Sequence, residues 1–169
     1  MRRGLLLLLG VMLLAGCVSA FPAEKLVGVD RALTLGVLRS DPDRFRQARV
    51  VLAGEIIQTR PRPGRTEIEV ISRPLGDGDA PRFTDVSDGR FLLTAPDFLD
   101  PAVYGPGRRL SVVGTVTGSE ERPLGDLPYR YVTVAIDQLY LWPRPVNAYP
   151  YPYAPYYYGF GRPYWPYYW

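Results

Sequence analysis

Five short segments of alternating apolar and polar residues constrain the fold of this 169-residue chain most strongly. They predict strands over 49–60, 65–72, 90–94, 108–117 and 129–141. Gly54 and Gly114 lie inside the first and fourth segments, where strands bend when a barrel closes. With a short helix or turn over 97–104, this order predicts an all-β fold with small α content: a five-stranded, OB-like, closed or partly open barrel. An open β-sandwich is the alternative.

A short helix is predicted before the first strand. Apolar residues within 31–39 recur at helical spacing, and Thr34 is a suitable N-cap. The helix is expected to end at Asp41, because Pro42 disfavours helical geometry in the residue before it. Residues 18–30 show little periodicity and are interpreted as a tether.

The first sixteen residues have the pattern of a targeting segment. Arg2 and Arg3 precede an apolar run, and small residues follow it. This is the order of regions in a secretory signal peptide. The run is shorter than the ~20 apolar residues that a transmembrane helix needs. We therefore expect residues 1–16 to be a cleaved signal peptide.

Cys17 is the only cysteine and follows the apolar run directly. An internal disulfide is excluded, because it needs a second thiol. Leu14-Ala15-Gly16-Cys17 resembles the lipobox of bacterial lipoprotein precursors. The resemblance implies cleavage between Gly16 and Cys17, with a diacylglycerol thioether and an N-linked acyl chain such as palmitate on Cys17. Three acyl chains make an effectively permanent anchor. In such lipoproteins, an Asp directly after the cysteine favours retention in the inner membrane. Val18 occupies this position, so the resemblance implies the outer membrane.

The part of the chain expected to fold is nearly neutral. The chain has 20 Lys plus Arg and 17 Asp plus Glu, but four of these cations lie in the signal peptide and the last 28 residues, which leaves 16 against 17. Without a net basic field, nucleic acid is not an expected partner. The chain has no histidine, which excludes His-dependent triads and His-ligated zinc sites.

Residues 142–169 differ in composition from the rest, with nine Tyr, three Trp, seven Pro and no acidic residue. So many prolines exclude a helix or a central strand and indicate a low-complexity, disordered tail. Tyr and Trp give contact area at low entropic cost and favour membrane interfaces. The tail is therefore a candidate contact for peptidoglycan, glycan, an envelope protein or the membrane surface; a tail without a fixed partner is the alternative. Its candidate residues are Trp142, Tyr149, Tyr151, Tyr153, Tyr156, Tyr157, Tyr158, Tyr164, Trp165, Tyr167, Tyr168 and Trp169.

Three stretches behind the lipobox carry a family resemblance: "TEIEVISRPL" (66–75), "SDGRFLLTAPDFLDPAVYGPGRRLSVVGTVTG" (87–118) and "GDLPYRYVTVAIDQLYLW" (125–142). They resemble the Slp family of starvation-inducible outer-membrane lipoproteins. The resemblance covers roughly residues 1–142, and the aromatic tail departs from the shorter members. It implies an outer-membrane lipoprotein that faces the periplasm and is linked to starvation, stationary-phase or acid stress.

No residue pattern predicts catalysis. The serines have no histidine partner, and Lys25 lies in the tether. Asp77 and Asp79 resemble part of a calcium loop, but the third ligand and the closing Glu are missing, so no metal or other cofactor is expected. We expect a non-catalytic role in envelope maintenance or stress adaptation. The alternative is a module that binds an envelope glycan or peptide through the barrel face or the tail, although Phe91 is the only aromatic in the second and third strands.

The predicted domain organisation has four parts. Residues 1–16 form the signal peptide and residues 17–30 the lipid-anchored tether. Residues 31–141 form the OB-like barrel domain, and residues 142–169 form the Tyr/Pro-rich tail.

Overall fold

The computed structural model describes residues 19–144. Helix α1 spans Leu35–Ser40, and Ala23–Leu26 and Asp77–Asp79 are short 3₁₀ turns. The strands are β1 (Arg49–Arg62), β2 (Arg65–Arg73), β3 (Arg90–Ala95), β4 (Arg109–Leu124) and β5 (Leu127–Leu141). All five predicted strands are present, and residues 97–104 contain turns rather than a helix. No helix within 19–144 combines the length and apolar character needed to cross a bilayer.

The five strands close into one barrel in the order β1-β2-β3-β5-β4. All neighbouring strands are antiparallel except β3 and β5, which are parallel. The predicted OB-like barrel is therefore confirmed, and the sandwich alternative is wrong. Strand β4 extends to Leu124, beyond the predicted end at 117, because its pairing with β5 continues to the hairpin at Gly125.

Gly54 of β1 and Gly114 of β4 lie where neighbouring strands approach closely. A Cβ on Gly54 would collide with the Ile71 carbonyl oxygen and lie 2.6 Å from Val70 Cγ1. Gly114 has the same constraint against β5, and the β4–β5 register shifts at this position. A larger side chain at either position would force the strands apart.

The barrel interior is one cluster of buried apolar side chains. Those from the strands alternate as predicted, and Leu35 and Leu38 of α1 pack against them. The Thr34 hydroxyl caps α1 by accepting a hydrogen bond from the Val37 amide at 3.4 Å. The fully buried members include Val50, Ile56, Ile68, Val70, Phe91, Leu93, Leu110, Val112, Val116, Val132 and Val134.

A second apolar layer lies outside the barrel. Phe21, only 3% exposed, packs with Val51 and Val113, and Leu26 and Val29 complete the layer. Strand β1 is consequently buried on both faces. Within residues 19–30, part of the predicted tether, Phe21 thus packs on the barrel together with the partly buried Leu26 and Val29.

Candidate functional site

OB-type barrels bind oligomeric ligands on the face of strands 2 and 3 and with the loops that join strands 1 to 2 and 4 to 5. Glu67 and Glu69 lie on this outer face, as the alternation in β2 predicts. Both are nonetheless more than nine-tenths buried, because arginine and tyrosine side chains cover them. Phe91 belongs to the barrel interior, so the one aromatic expected on β2 and β3 is absent from the face.

Glu67 is surrounded by three arginines. Its carboxylate accepts hydrogen bonds from Arg65 at 2.9 Å and from Arg122 at 3.3 Å, and Arg62 approaches to 3.7 Å. Burial acts to raise the pKa of Glu67, but the hydrogen bonds and positive charges of Arg65 and Arg122 outweigh it and lower the pKa. Glu67 is therefore held as a carboxylate.

Glu69 anchors a second group on the same face. It accepts hydrogen bonds from Arg90 at 2.8 Å and from the Tyr131 hydroxyl at 3.1 Å. Burial and the neighbouring carboxylate raise the pKa of Tyr131, so this phenol remains protonated. Tyr129 packs edge-on against Tyr131 with ring centroids 4.7 Å apart, and the Arg39 guanidinium lies over the Tyr129 ring. Sequence reasoning did not assign these two tyrosines a role, although they lie in the "PYRY" stretch that carries part of the family resemblance.

A cleft of about 600 Å³ opens between the β1–β2 and β4–β5 hairpins. Four guanidinium groups and two carboxylates line it, so its net charge is positive. We name it the arginine cleft, and its charged residues are Arg60, Arg62, Arg65, Arg122, Glu67 and Glu120. Arginine forks match carboxylate and phosphate groups, so this geometry suits an acidic ligand.

A hydrogen-bonded chain at the other end of β2 joins the two ends of the described chain. The Asp79 carboxylate accepts hydrogen bonds from the Ser19 hydroxyl at 2.6 Å and from the Arg31 guanidinium at 2.5 and 3.2 Å. The Asp79 backbone carbonyl accepts from the Ser111 hydroxyl at 2.6 Å. The Trp142 indole N–H in turn donates to Ser111 Oγ at 2.8 Å. We name Ser19, Arg31, Asp79, Ser111 and Trp142 the Asp79 cluster.

The electrostatics of this cluster keep Asp79 charged. Its side chain is 5% exposed. The hydrogen bond from Arg31 lowers the pKa of Asp79, with help from Ser19, against the opposing effect of burial. Both carboxylate oxygens are thus engaged by protein donors. Within residues 19–144 no three His, Cys, Asp or Glu side chains group as metal ligands.

A surface cavity of about 540 Å³ lies beside the Asp79 cluster. Arg82, Phe83, Arg109 and Trp142 are among its lining residues, and we name these four the rim surface. Phe83 is 79% exposed, and the Arg109 guanidinium lies 3.6 Å from the centre of its ring. Arg109 Nε is buried without a hydrogen-bond partner within residues 19–144. Burial lowers the pKa of Arg109, with Glu55 opposing this effect.

The predicted site residues fall into two groups. Gly16, Cys17 and the tail positions from Tyr149 to Trp169 lie outside the described residues. Trp142 lies inside them, and its backbone amide also donates to the Arg109 carbonyl at 2.9 Å. This residue, predicted as the start of the tail, is packed on the barrel.

The lipobox resemblance and the OB-type barrel of residues 19–144 point to one class of protein, a bacterial lipoprotein. The chain belongs to the outer membrane lipoprotein Slp family, whose model matches residues 14–169. The match includes Cys17 and continues through the aromatic tail, beyond the limit near residue 142 that the sequence resemblance indicated. The protein is thus a lipoprotein of the outer membrane.

Two curated proteins are similar in sequence to this chain. The chain is 28% identical over 167 residues to the uncharacterized lipoprotein YeaY of Escherichia coli, covering 98% of this chain and 85% of that protein. It is 32% identical over 94 residues to an uncharacterized protein of Haemophilus influenzae, covering 55% of this chain and 51% of that protein.

Two solved structures that match part of this chain have very different sequences. The mitochondrial single-stranded DNA binding protein Rim1 of S. cerevisiae is 10% identical with a TM-score of 0.35, over 56% of this chain and 94% of that chain. The Plasmodium falciparum SSB in complex with ssDNA is 12% identical with a TM-score of 0.37, over the same shares of the two chains.

Proposed function

We propose that acylated Cys17 holds this protein in the outer membrane, with the barrel in the periplasm, and that the barrel maintains or adapts the envelope without catalysing a reaction. The lipobox supports the anchor, and the family model includes Cys17 within its match. A diacylglycerol thioether plus an N-linked acyl chain would make the attachment effectively permanent.

The proposal of a non-catalytic role depends on one observation, namely that the buried carboxylates are held in their charged form. General acid–base catalysis works best when a group's pKa lies near the working pH. Glu67 and Asp79 have the opposite property, because arginine partners lower the pKa of each. Such groups serve as fixed ion-pair partners that shape a surface. Together with the packed barrel interior, they support a binding or structural role in stress adaptation.

The anchor is tested by replacing Cys17 with Ala in the full chain. We expect the variant to incorporate no labelled palmitate and to keep its signal peptide, because the thiol that accepts the lipid is gone. A Val18→Ala variant is the matched control and should be acylated and cleaved normally. Normal processing of Cys17→Ala would refute the anchor.

The envelope role is tested in cells that lack the gene. Wild-type protein should restore envelope integrity after prolonged starvation, measured as exclusion of a membrane-impermeant dye, and Cys17→Ala should not. Equal dye exclusion with and without the gene under starvation and acid stress would refute this role.

Binding of an acidic envelope glycan or peptide is the second candidate function. The arginine cleft favours it, since its four guanidinium groups face only two carboxylates. Peptidoglycan fragments that carry free carboxylates are suitable probes. Arg60→Gln should weaken their binding to the full chain, whereas Arg44→Gln, an exposed arginine outside the cleft, should not. Equal binding by both variants would eliminate the cleft as the site.

The aromatic tail is the other surface through which such a ligand could bind. A chain that ends after Arg144 removes the candidate positions from Tyr149 onward and keeps the packed Trp142. If the tail binds, recovery on peptidoglycan sacculi should fall for this shortened chain. Equal recovery of both chains would exclude the tail.

A further inference from the structure

We propose that the rim surface docks onto the phospholipid headgroup layer of the leaflet that holds the acyl chains, and so fixes the orientation of the barrel. This inference rests on the proposed acylation of Cys17. It adds a defined contact face and a partner, a phospholipid surface, to the anchor.

The first argument is the reach of the chain. Only Val18 separates Cys17 from Ser19, and a chain spans at most ~3.6 Å per residue, so their Cα atoms lie within ~7 Å of each other. Ser19 is fixed on the barrel by its hydrogen bond to Asp79, and Phe21 is buried two residues later. An anchor at Cys17 therefore brings the barrel surface around Ser19 to the membrane.

The second argument is that the rim surface adjoins Ser19. The Ala20 amide donates to the Gly78 carbonyl at 2.9 Å, so the chain leaves the barrel along the 77–79 turn. Phe83 follows only four residues after Asp79 in the same loop. Trp142 is joined to this turn through Ser111. The surface that the short anchor brings to the membrane is thus the one that contains Phe83 and Trp142.

The third argument is the chemistry of this surface. Trp favours the membrane–water interface, and an exposed Phe gains free energy by leaving water. The Arg109 guanidinium lies over the exposed Phe83 ring beside the cavity, and lipid phosphates are acceptors for guanidinium groups. Arg82 adds a second positive charge, and among the described residues that line the same cavity only Asp77 is acidic.

The place where the aromatic sequence leaves the barrel agrees with this orientation. Residue 143 follows Trp142 directly, so the aromatic sequence leaves the barrel at the proposed membrane-facing end. The arginine cleft lies at the other end of β2: Glu67 and Arg73 are six residues apart, or about 20 Å at ~3.3 Å per residue. Docking by the rim surface therefore directs the cleft away from the membrane.

A pair of single-thiol variants tests the proposal. Phe83→Cys and Leu127→Cys each provide one free thiol for a fluorescent label in the full acylated chain, because Cys17 is blocked by its thioether. Leu127, 72% exposed, lies in the β4–β5 hairpin and matches Phe83 in exposure. Each labelled protein is reconstituted in vesicles of phosphatidylethanolamine and phosphatidylglycerol, and quenching by an aqueous collisional quencher is measured.

The reference is protein without the signal peptide and Cys17, measured in solution without detergent. Relative to this reference, we expect quenching of the label at position 83 to fall several-fold on vesicles. Quenching of the label at position 127 should stay unchanged. Replacing Arg82 and Arg109 with Gln in the Phe83→Cys chain should restore part of the quenching. Equal quenching at both positions, in protein that floats with the vesicles, would overturn the docking and leave the anchor intact. Failure of the full chain to acquire its acyl chains would instead overturn the anchor, and the docking with it.

Discussion

Replacing Arg31 with Gln is expected to destabilise the barrel more than removing the charge of its partner, Asp79. Asp79 is 5% exposed and Arg31 is 52% exposed. Breaking a fully buried ion pair by removing one member costs about 3–5 kcal/mol, because it leaves an uncompensated buried charge. Arg31 is half in water, so the cost is smaller, and we expect the free energy of unfolding to fall by about 1–3 kcal/mol.

Asp79→Asn is the matched comparison. It removes the buried charge, keeps an acceptor for Ser19, and tolerates the positive φ of 65° at this position, as Asn commonly does. The arginine left behind can be hydrated, so the loss should be smaller, about 0.5–1.5 kcal/mol. The double variant should resemble Asp79→Asn, because Arg31 has little left to pair with.

The pH dependence follows from the lowered pKa of Asp79 in the folded state. An Asp with a depressed folded pKa contributes stability that is fully present above its unfolded pKa of ~3.9 and is lost as the pH falls through the folded pKa. The difference between wild type and Asp79→Asn should thus be largest near neutral pH and shrink in acid. The Asp79→Asn protein should lose less stability on acidification than wild type.

The assay is urea unfolding of the non-acylated domain, begun at Ser19, followed by tryptophan fluorescence and circular dichroism at neutral and acidic pH. The midpoint and the slope give the free energy of unfolding for each variant. If Asp79→Asn costs more than Arg31→Gln at neutral pH, the buried carboxylate is not the group that needs its partner, and the reasoning fails. An Asp79→Asn difference that grows in acid would refute the assigned pKa shift.

Three further predictions concern stability in the same assay. Gly54→Ala should lower the free energy of unfolding by at least about 2 kcal/mol, because the new Cβ meets a neighbouring strand. Gly36→Ala in α1 is the control and should be neutral or stabilising, since its Cβ makes only ordinary contacts. Equal unfolding midpoints for the two variants would contradict the close approach at Gly54. Glu67→Gln should cost about 1–3 kcal/mol at neutral pH, since it leaves arginines of the cleft without a counter-charge, and the loss should shrink in acid, where the wild-type carboxyl is protonated. Trp142→Phe should cost about 0.5–1.5 kcal/mol through the lost indole hydrogen bond to Ser111; an unchanged midpoint would show that Trp142 is not part of the folded domain.

Much of the barrel could be predicted from local sequence. Period-2 alternation identifies the strands, because adjacent side chains of a strand point to opposite faces, and Ile68 and Val70 are buried as that pattern requires. Gly54 in β1 and Gly114 in β4 can also be recognised locally, because a residue without a Cβ inside an alternating segment indicates a bend in the strand. The lipobox resemblance is equally local, because it depends on the consecutive residues 14–17.

The candidate sites could not be predicted in the same way. Tyr129 and Tyr131 matter because the β4–β5 hairpin lays them against Glu69 and Arg90 of other strands. Phe21 reads as part of a tether in the sequence, yet it is buried, because the outer face of β1 offers apolar surface that alternation alone assigns to water.

By itself, the sequence determined the strands, the barrel class, the lipobox and the family, all of which depend on residues close together in the chain. Only the tertiary structure decided that Ser19 meets Asp79, that Asp79 meets Ser111, and that Ser111 meets Trp142, across separations of 60, 32 and 31 residues. Such contacts form because the closed barrel brings distant strand ends together. Periodic patterns in the sequence do not predict which strand ends meet. These contacts place Ser19, the first described residue, and Trp142, the start of the aromatic sequence, at one end of the barrel.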